Sequence, residues 1–218
     1  MQGKTLLLLI ASFLCLTASA AHAEKIAIKA GRLIDVDNAK VLNDQVIIVE
    51  NGKIKELGPG LQIPAGVQTI DLSKQTVLPG LIDCHTHLIG SPADYDPIME
   101  AKKSAAQKVL ESIPNAKKTL EAGFTSVRDR GTYRALIDLA LRDAINRGDV
   151  LGPRMFASGA YLTITKGGGA LTGFAPDITL PWDMHFGEAD DPWTVRKRVR
   201  ELAHYGVDQI KIIATGAV

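Results

Sequence analysis

Two histidines one residue apart, in Asp83-Cys84-His85-Thr86-His87, are the sharpest chemical signal in this chain. In a strand, residues i and i+2 share a face, so both imidazoles project together while Cys84 and Thr86 project the other way. Paired imidazoles at a strand end suit a first-row divalent metal such as zinc. Two histidines there serve as readily as surface polar residues, so the spacing alone leaves metal binding open. Asp83 has the same parity and is placed to orient one ring as an acceptor behind it. Lys211, in Gln209-Ile210-Lys211-Ile212-Ile213, is the second signal. If Ile210 and Ile212 face a helix layer, Lys211 points inward, where an ammonium is costly unless paired, neutral or modified. Pairing with an acid, or snorkelling to the rim, relieves that cost as well as a modification does.

Other candidates carry less. Arg128 and Asp129 close the run Phe124–Asp129, where an ion pair or a loop hydrogen bond is the plainer role. Gly167-Gly168-Gly169 follows no strand directly and opens no helix, so it fails as a phosphate cradle and reads as a flexible loop. Tyr161 and Thr163 lie beside it and are placed to line a site mouth. His185 sits in a loop and His204 in a helix's last turn, which favours histidine on electrostatic grounds. Neither is expected to hold a metal. Cys84, opposite the ligand face, reads as a small buried hydrophobe.

The elements that must position these groups fall into two parts. Residues 24–75 read as strands and turns, with Val46-Ile47-Ile48-Val49 running into an Asn51-Gly52 hairpin turn. From residue 76 onward strands alternate with helices. Strands are expected at Leu81–Cys84, Phe124–Asp129, Met155–Ser158 and Val207–Ala214. Helices are expected over about Pro97–Glu121, Thr132–Arg147, and a third starting at Asp191-Pro192. In the first helix Ile98, Ala105, Val109, Leu110, Ile113 and Leu120 form the apolar side, and Pro114 is expected to break or kink it. Gly148 and Gly206 close the second and third. Such alternation means an α/β sheet of parallel strands, in either a doubly wound or a barrel arrangement.

Composition bounds the partners. Of 218 residues, 25 are Lys or Arg and 24 are Asp or Glu, a balance that gives no sign of nucleic-acid binding. The two cysteines are too few for a disulfide framework. Residues 1–23 have the three parts of a cleavable secretory signal: Lys4, the apolar run Leu6–Leu16, and Ala21-His22-Ala23 as the cut site. The run is shorter than the ~20 residues that cross a bilayer. A periplasmic or secreted product with no membrane attachment follows, and Cys84 is then its lone thiol.

Leu78-Pro79-Gly80-Leu81-Ile82-Asp83-Cys84-His85-Thr86-His87 resembles the first barrel strand of the metal-dependent amidohydrolase superfamily. Glu121-Ala122-Gly123-Phe124-Thr125-Ser126-Val127-Arg128-Asp129 and the β lead are also similar to that family. The likeness leans toward imidazolonepropionase-like and prolidase-like dipeptidase members. It implies the first half of a (β/α)8 TIM-like barrel, in residues 76–218, after a small β-sandwich-like lead domain. It implies a divalent metal site, expected as two zinc ions, held by His85, His87 and a carboxylated, bridging Lys211. Asp83, Arg128, Asp129 and Tyr161 are then residues behind the ligands or in the pocket. The resemblance implies hydrolysis of C–N bonds in dipeptides or cyclic amides, by a metal-activated hydroxide. The two remaining histidines and the proton-transferring aspartate of that family fall beyond Val218. The chain is therefore expected to be a truncated, inactive N-terminal fragment. The alternatives are a non-catalytic metal-binding remnant, or a half-barrel that works with a second chain or as a homo-oligomer. Related enzymes often carry a histidine in the loop holding Gly167-Gly168-Gly169, and this chain has none, which leaves the substrate preference open.

Overall fold

The computed structural model describes residues 24–90 and 96–215. The expected signal segment lies outside the described residues. The chain divides into two compact units, Met1–Pro79 and Gly80–Val218.

The first unit is a single four-stranded mixed sheet. Its strands are β1 (Lys25–Asp35), β2 (Lys40–Glu50), β3 (Lys53–Pro59) and β4 (Gln68–Val77), in the order β3-β2-β1-β4. β1 and β4 run parallel, and the other pairs are antiparallel. Glu50 pairs with Lys53, so Asn51 and Gly52 form a two-residue turn, with φ of 51° and 72°. Positive φ at both positions is what a twist-matched hairpin turn demands. Ala30, Leu33 and Ile47 are buried at its centre against Ile28, Leu42, Val49 and Val77. The sheet keeps Thr76 and Val77, so the break falls at Pro79/Gly80, where the sequence suggested 75/76.

In the second unit strands and helices alternate. β5 (Leu81–Thr86), β6 (Phe124–Asp129) and β7 (Arg154–Phe156) form one parallel sheet; β8 (Tyr161–Thr163) and β9 (Lys211–Ile213) form a second parallel pair. Within each sheet every strand lies beside its successor, with no reversal of strand order among the described residues. A reversal is the mark of doubly wound sheets, so the order favours the barrel. Residues 157–160, with Gly159 at φ 77°, separate β7 from β8. That interruption is why the expected strand at Met155–Ser158 is short and why β8 went unread.

The helices differ from expectation in instructive ways. The first is two helices, α1 (Pro97–Lys102) and α2 (Ala105–Glu121). Ser104 starts α2 with a capping box, its hydroxyl accepting the Gln107 N–H while the Gln107 side chain accepts the Ser104 N–H. Pro114 lies inside α2 without ending it. The carbonyl four residues back belongs to Leu110, which faces solvent, so water can replace the missing N–H. The buried stripe of α2 is Lys108, Ser112 and Ala116, whereas Ile98 and Leu110 are exposed. Lys108 is tolerated there because it pairs with Glu100.

Helix α3 spans Ile137–Arg147, later than the expected start at Thr132. Residues 132–136 are held out of the helix by other partners. Arg134 pairs with Asp183 at 2.6 Å, and the Ala135 N–H donates to the Asp183 carbonyl. Leu136 takes φ 70°, which a helix interior does not accommodate. Helix α4 (Pro192–His204) matches its sequence punctuation, with Asp191 accepting the N–H groups of Trp193 and Thr194. Leu88, Val127, Leu139, Leu141, Met155 and Ala157 form the main core between strands and helices.

Candidate metal centre

β5 ends at Thr86, between the two histidines, and their rings lie close together. The imidazole centroids of His85 and His87 are 5.4 Å apart. His87 Nδ1 lies 3.2 Å from the Gly131 carbonyl, which can only accept, so the proton is on Nδ1. Nε2 is then the nitrogen free to bind a metal. The Tyr161 hydroxyl oxygen sits 3.3 Å from the same Nδ1. Both histidines are held below the usual imidazole range, first by lost solvation even though their outer edges reach solvent. The charges of Lys211 and Arg130 act in the same direction, and Asp83 opposes them at His85. Both rings are therefore neutral at neutral pH, the form that ligates.

Lys211 opens β9 and pairs in register with Tyr161 on β8. That pairing carries the amine toward the end of the strands where His87 meets Tyr161. Its pKa is lowered by partial burial and by the charge of Arg130. Ile210 packs on the core beside Leu202 and Phe186, as expected, but Ile212 is 60% exposed. No group of three His, Cys, Asp or Glu side chains able to hold a metal occurs among the described residues. Two ready imidazoles fit a divalent ion. A third donor appears here only if Lys211 carries a carboxylate.

The other predicted residues take varied places. Asp83 accepts the backbone N–H of His85 at 2.9 Å, so it shapes the chain instead of buttressing a ring. Cys84 is exposed, a correction to its expected burial: β5 is the edge of its sheet, and neighbouring Leu81 and Ile82 are uncovered too. Arg128 donates from Nε to the Gln209 side chain at 3.0 Å. Both line a cleft of about 310 Å³ with Ile82, Phe156 and Asp208. Asp129 is fully buried, without an ion pair, and accepts the Leu88 N–H at 2.6 Å. His185 bonds Glu188 at 2.9 Å and His204 meets Tyr205 edge-on, both apart from the histidine pair.

Gly167 and Gly169 pack closely on β8 instead of forming an open flexible loop. A Cβ at Gly169 would stand 2.7 Å from that of Tyr161, and the Gly169 N–H donates to Thr163. Sequence reasoning missed Arg130, whose charge reaches both histidines and Lys211, and Gly131, which fixes the His87 ring. A glycine just after a strand end was the available signal for the second.

A barrel-type strand order with paired histidines at a strand end defines a class of metal-site α/β proteins. Residues 76–218 match the Amidohydrolase family, and the chain belongs to it. Members of that family generally use divalent metals. The chain is 33% identical to a solved Xaa-Pro dipeptidase with methionine bound in its active site, with a TM-score of 0.77 over 89% of this chain and 48% of that one. It is 28% identical to ochratoxinase of Aspergillus niger over 92% of this chain and 44% of the relative. A dihydroorotase of Trichlorobacter lovleyi is 41% identical over 46% of this chain and 20% of the relative. The chain thus spans less than half the length of these curated relatives and about half that of the solved structures. The neighbours bear out a β-rich lead followed by the first part of a TIM barrel.

Proposed function

We propose that the whole protein carrying this sequence is an exported, metal-dependent hydrolase of C–N bonds in small amides, with dipeptides or cyclic amides as substrates. The observation that carries this reading is the pair of neutral imidazoles at the end of β5, with His87 Nδ1 committed to Gly131 and Nε2 left for a metal. His85 and His87 would hold the ion, and Lys211, if carboxylated, would add an oxygen donor beside them. Zinc is the proposed metal. A bound ion supplies Lewis-acid polarisation of the carbonyl and a water of lowered pKa. Gly131 keeps the His87 ring in one tautomer, and the Tyr161 hydroxyl lies beside the same nitrogen. The dipeptidase among the solved neighbours supports the dipeptide class, and the dihydroorotase among the curated relatives supports the cyclic-amide class.

The remaining ligands and the proton-transfer acid belong to the part of the barrel that the relatives possess and these residues do not span. We propose that residues 24–218 alone are inactive. Exposed Ile82, Phe156 and Ile212, at 67%, 43% and 60%, favour the second reading, in which this half-barrel is completed by further chain or by another subunit. The deciding experiment expresses the gene through its downstream reading frame and assays dipeptides and cyclic amides with zinc. Chelator-sensitive hydrolysis, abolished by His85→Ala, is expected. Turnover that survives chelation overturns the proposal.

A further inference from the structure

We propose that Asp129 is a positioning residue for His87, holding the backbone next to the ring at the strand end that leads into the acceptor setting the ring's tautomer. The proposal rests on His87 being a metal ligand, as read above, but it concerns only residues present here. Asp129 ends β6, buried with no solvent exposure. Its Oδ2 accepts, at 2.6 Å, the N–H of Leu88, the residue directly after His87. Two residues beyond Asp129 stands Gly131, whose carbonyl receives the His87 Nδ1–H. The Asp129 side chain therefore steadies the backbone just after the histidine, and the same strand end leads directly into the acceptor.

The rest of Asp129 is anchored to the strands around it. Its carbonyl accepts the Ser158 hydroxyl at 2.9 Å and the Gln209 side-chain amide at 2.8 Å. Leu88 follows β5, Ser158 lies between β7 and β8, and Gln209 leads into β9. Segments flanking β5, β7, β8 and β9 thus meet at this residue at the end of β6. Gly131 is wedged as well: at φ 92°, a Cβ there would come within 3.3 Å of Ala160 and 3.2 Å of Tyr161. The acceptor position is therefore one that only glycine fits.

A purely structural role leaves one fact without a reason. Asp129 Oδ1 is buried and has no hydrogen-bond partner, a destabilising arrangement. An apolar residue of similar size would avoid that cost, but it could not hold the Leu88 N–H.

The test uses the metal-free chain with nitrogen-15 histidine, reading the His87 tautomer by NMR, followed by cobalt titration. The wild type and Asp129→Asn, which keeps an acceptor for Leu88, are expected to show a single Nδ1–H tautomer. Asp129→Ala is expected to show a tautomer mixture and cobalt binding weakened about 10–100-fold. Asp129→Leu replaces it if the alanine variant does not fold. Asp138→Asn is the control: equally buried, it holds Ser158 and Gly159 but not Leu88. It is expected to leave the His87 signals unchanged. An unaltered tautomer in folded Asp129→Ala or Asp129→Leu overturns the proposal, as does an equal change in Asp138→Asn. Failure of wild-type chain to bind cobalt, with the tautomer effect intact, would count against the metal reading alone.

Discussion

Asp208 and Ala157 are joined twice. The Ala157 N–H donates to Asp208 Oδ2 at 2.8 Å, and the Asp208 N–H donates to the Ala157 carbonyl at 2.9 Å. This reciprocal pair fastens the approach to β9, and hence Lys211, beside β7, where the regular ladder has stopped. Arg142 adds a contact to the same carboxyl at 2.9 Å.

Asp208→Ala is expected to cost about 1–3 kcal/mol, because it leaves the buried Ala157 N–H without a partner. Asp208→Asn keeps an acceptor and loses only the charge of a half-exposed ion pair, so about 1 kcal/mol or less is expected. Urea unfolding of the three proteins measures the difference. Equal losses in both variants would mean that the Arg142 pair, and not the reciprocal bond, carries the joint.

These joints explain what the sequence could and could not disclose. The Asn51-Gly52 turn, the Asp191 cap and strand β6 are local, decided by residues within a few positions, and they stand where expected. The His85/His87 pair was legible because strand parity is also local. Ser104 shows the limit: its capping box is a local signal, yet the long apolar periodicity across Lys103 masked it. The positions of Arg130, Gly131 and Asp129 relative to His87 come from contacts across more than 40 residues of chain, which no spacing encodes.

Stability is expected to fall as pH rises from about 4 to about 8. Desolvation first, and the charge of Asp138 second, push Asp129 up to about 8 from its ordinary 3.8; the Leu88 and Gly131 N–H groups oppose this. Within that window the folded chain keeps a proton that the unfolded chain has released, so each step upward in pH favours unfolding. The contribution is complete below the unfolded value and is lost as pH passes the folded one. Asp129→Asn does not titrate and should be the more stable protein near the top of the window, by on the order of a few kcal/mol. Asp138 is also raised, so a weaker slope of the same sign should remain. Denaturant midpoints at about pH 5 and about pH 9 decide it; parallel behaviour of wild type and variant would refute the prediction.

Lys211 should take up carbon dioxide more readily than an ordinary surface lysine. Only the neutral amine forms a carbamate, and partial burial together with Arg130 lowers its pKa, enlarging the neutral fraction at mildly alkaline pH. Carbon-13 bicarbonate added to the chain with zinc is expected to give a carbamate resonance that Lys211→Arg lacks. Arg130→Gln should raise the amine's pKa and reduce the signal. An identical resonance in Lys211→Arg would place the modification on another lysine.

Metal uptake should persist into mild acid. Imidazoles must be neutral to ligate, and both His85 and His87 sit below the ordinary imidazole value of 6.5, chiefly through lost solvation, with neighbouring positive charge acting the same way. Cobalt titrations of the chain are therefore expected to show binding at pH values where an ordinary histidine pair is half protonated, with loss only at still lower pH. His85→Ala and His87→Ala should each weaken binding at least about tenfold at neutral pH, since one imidazole remains in place of two. His185→Ala and His204→Ala should leave it unchanged, because those rings face Glu188 and Tyr205 instead. A half-maximal pH at or above 6.5, or equal losses from all four substitutions, would show that the ion binds histidine without regard to the pair on β5.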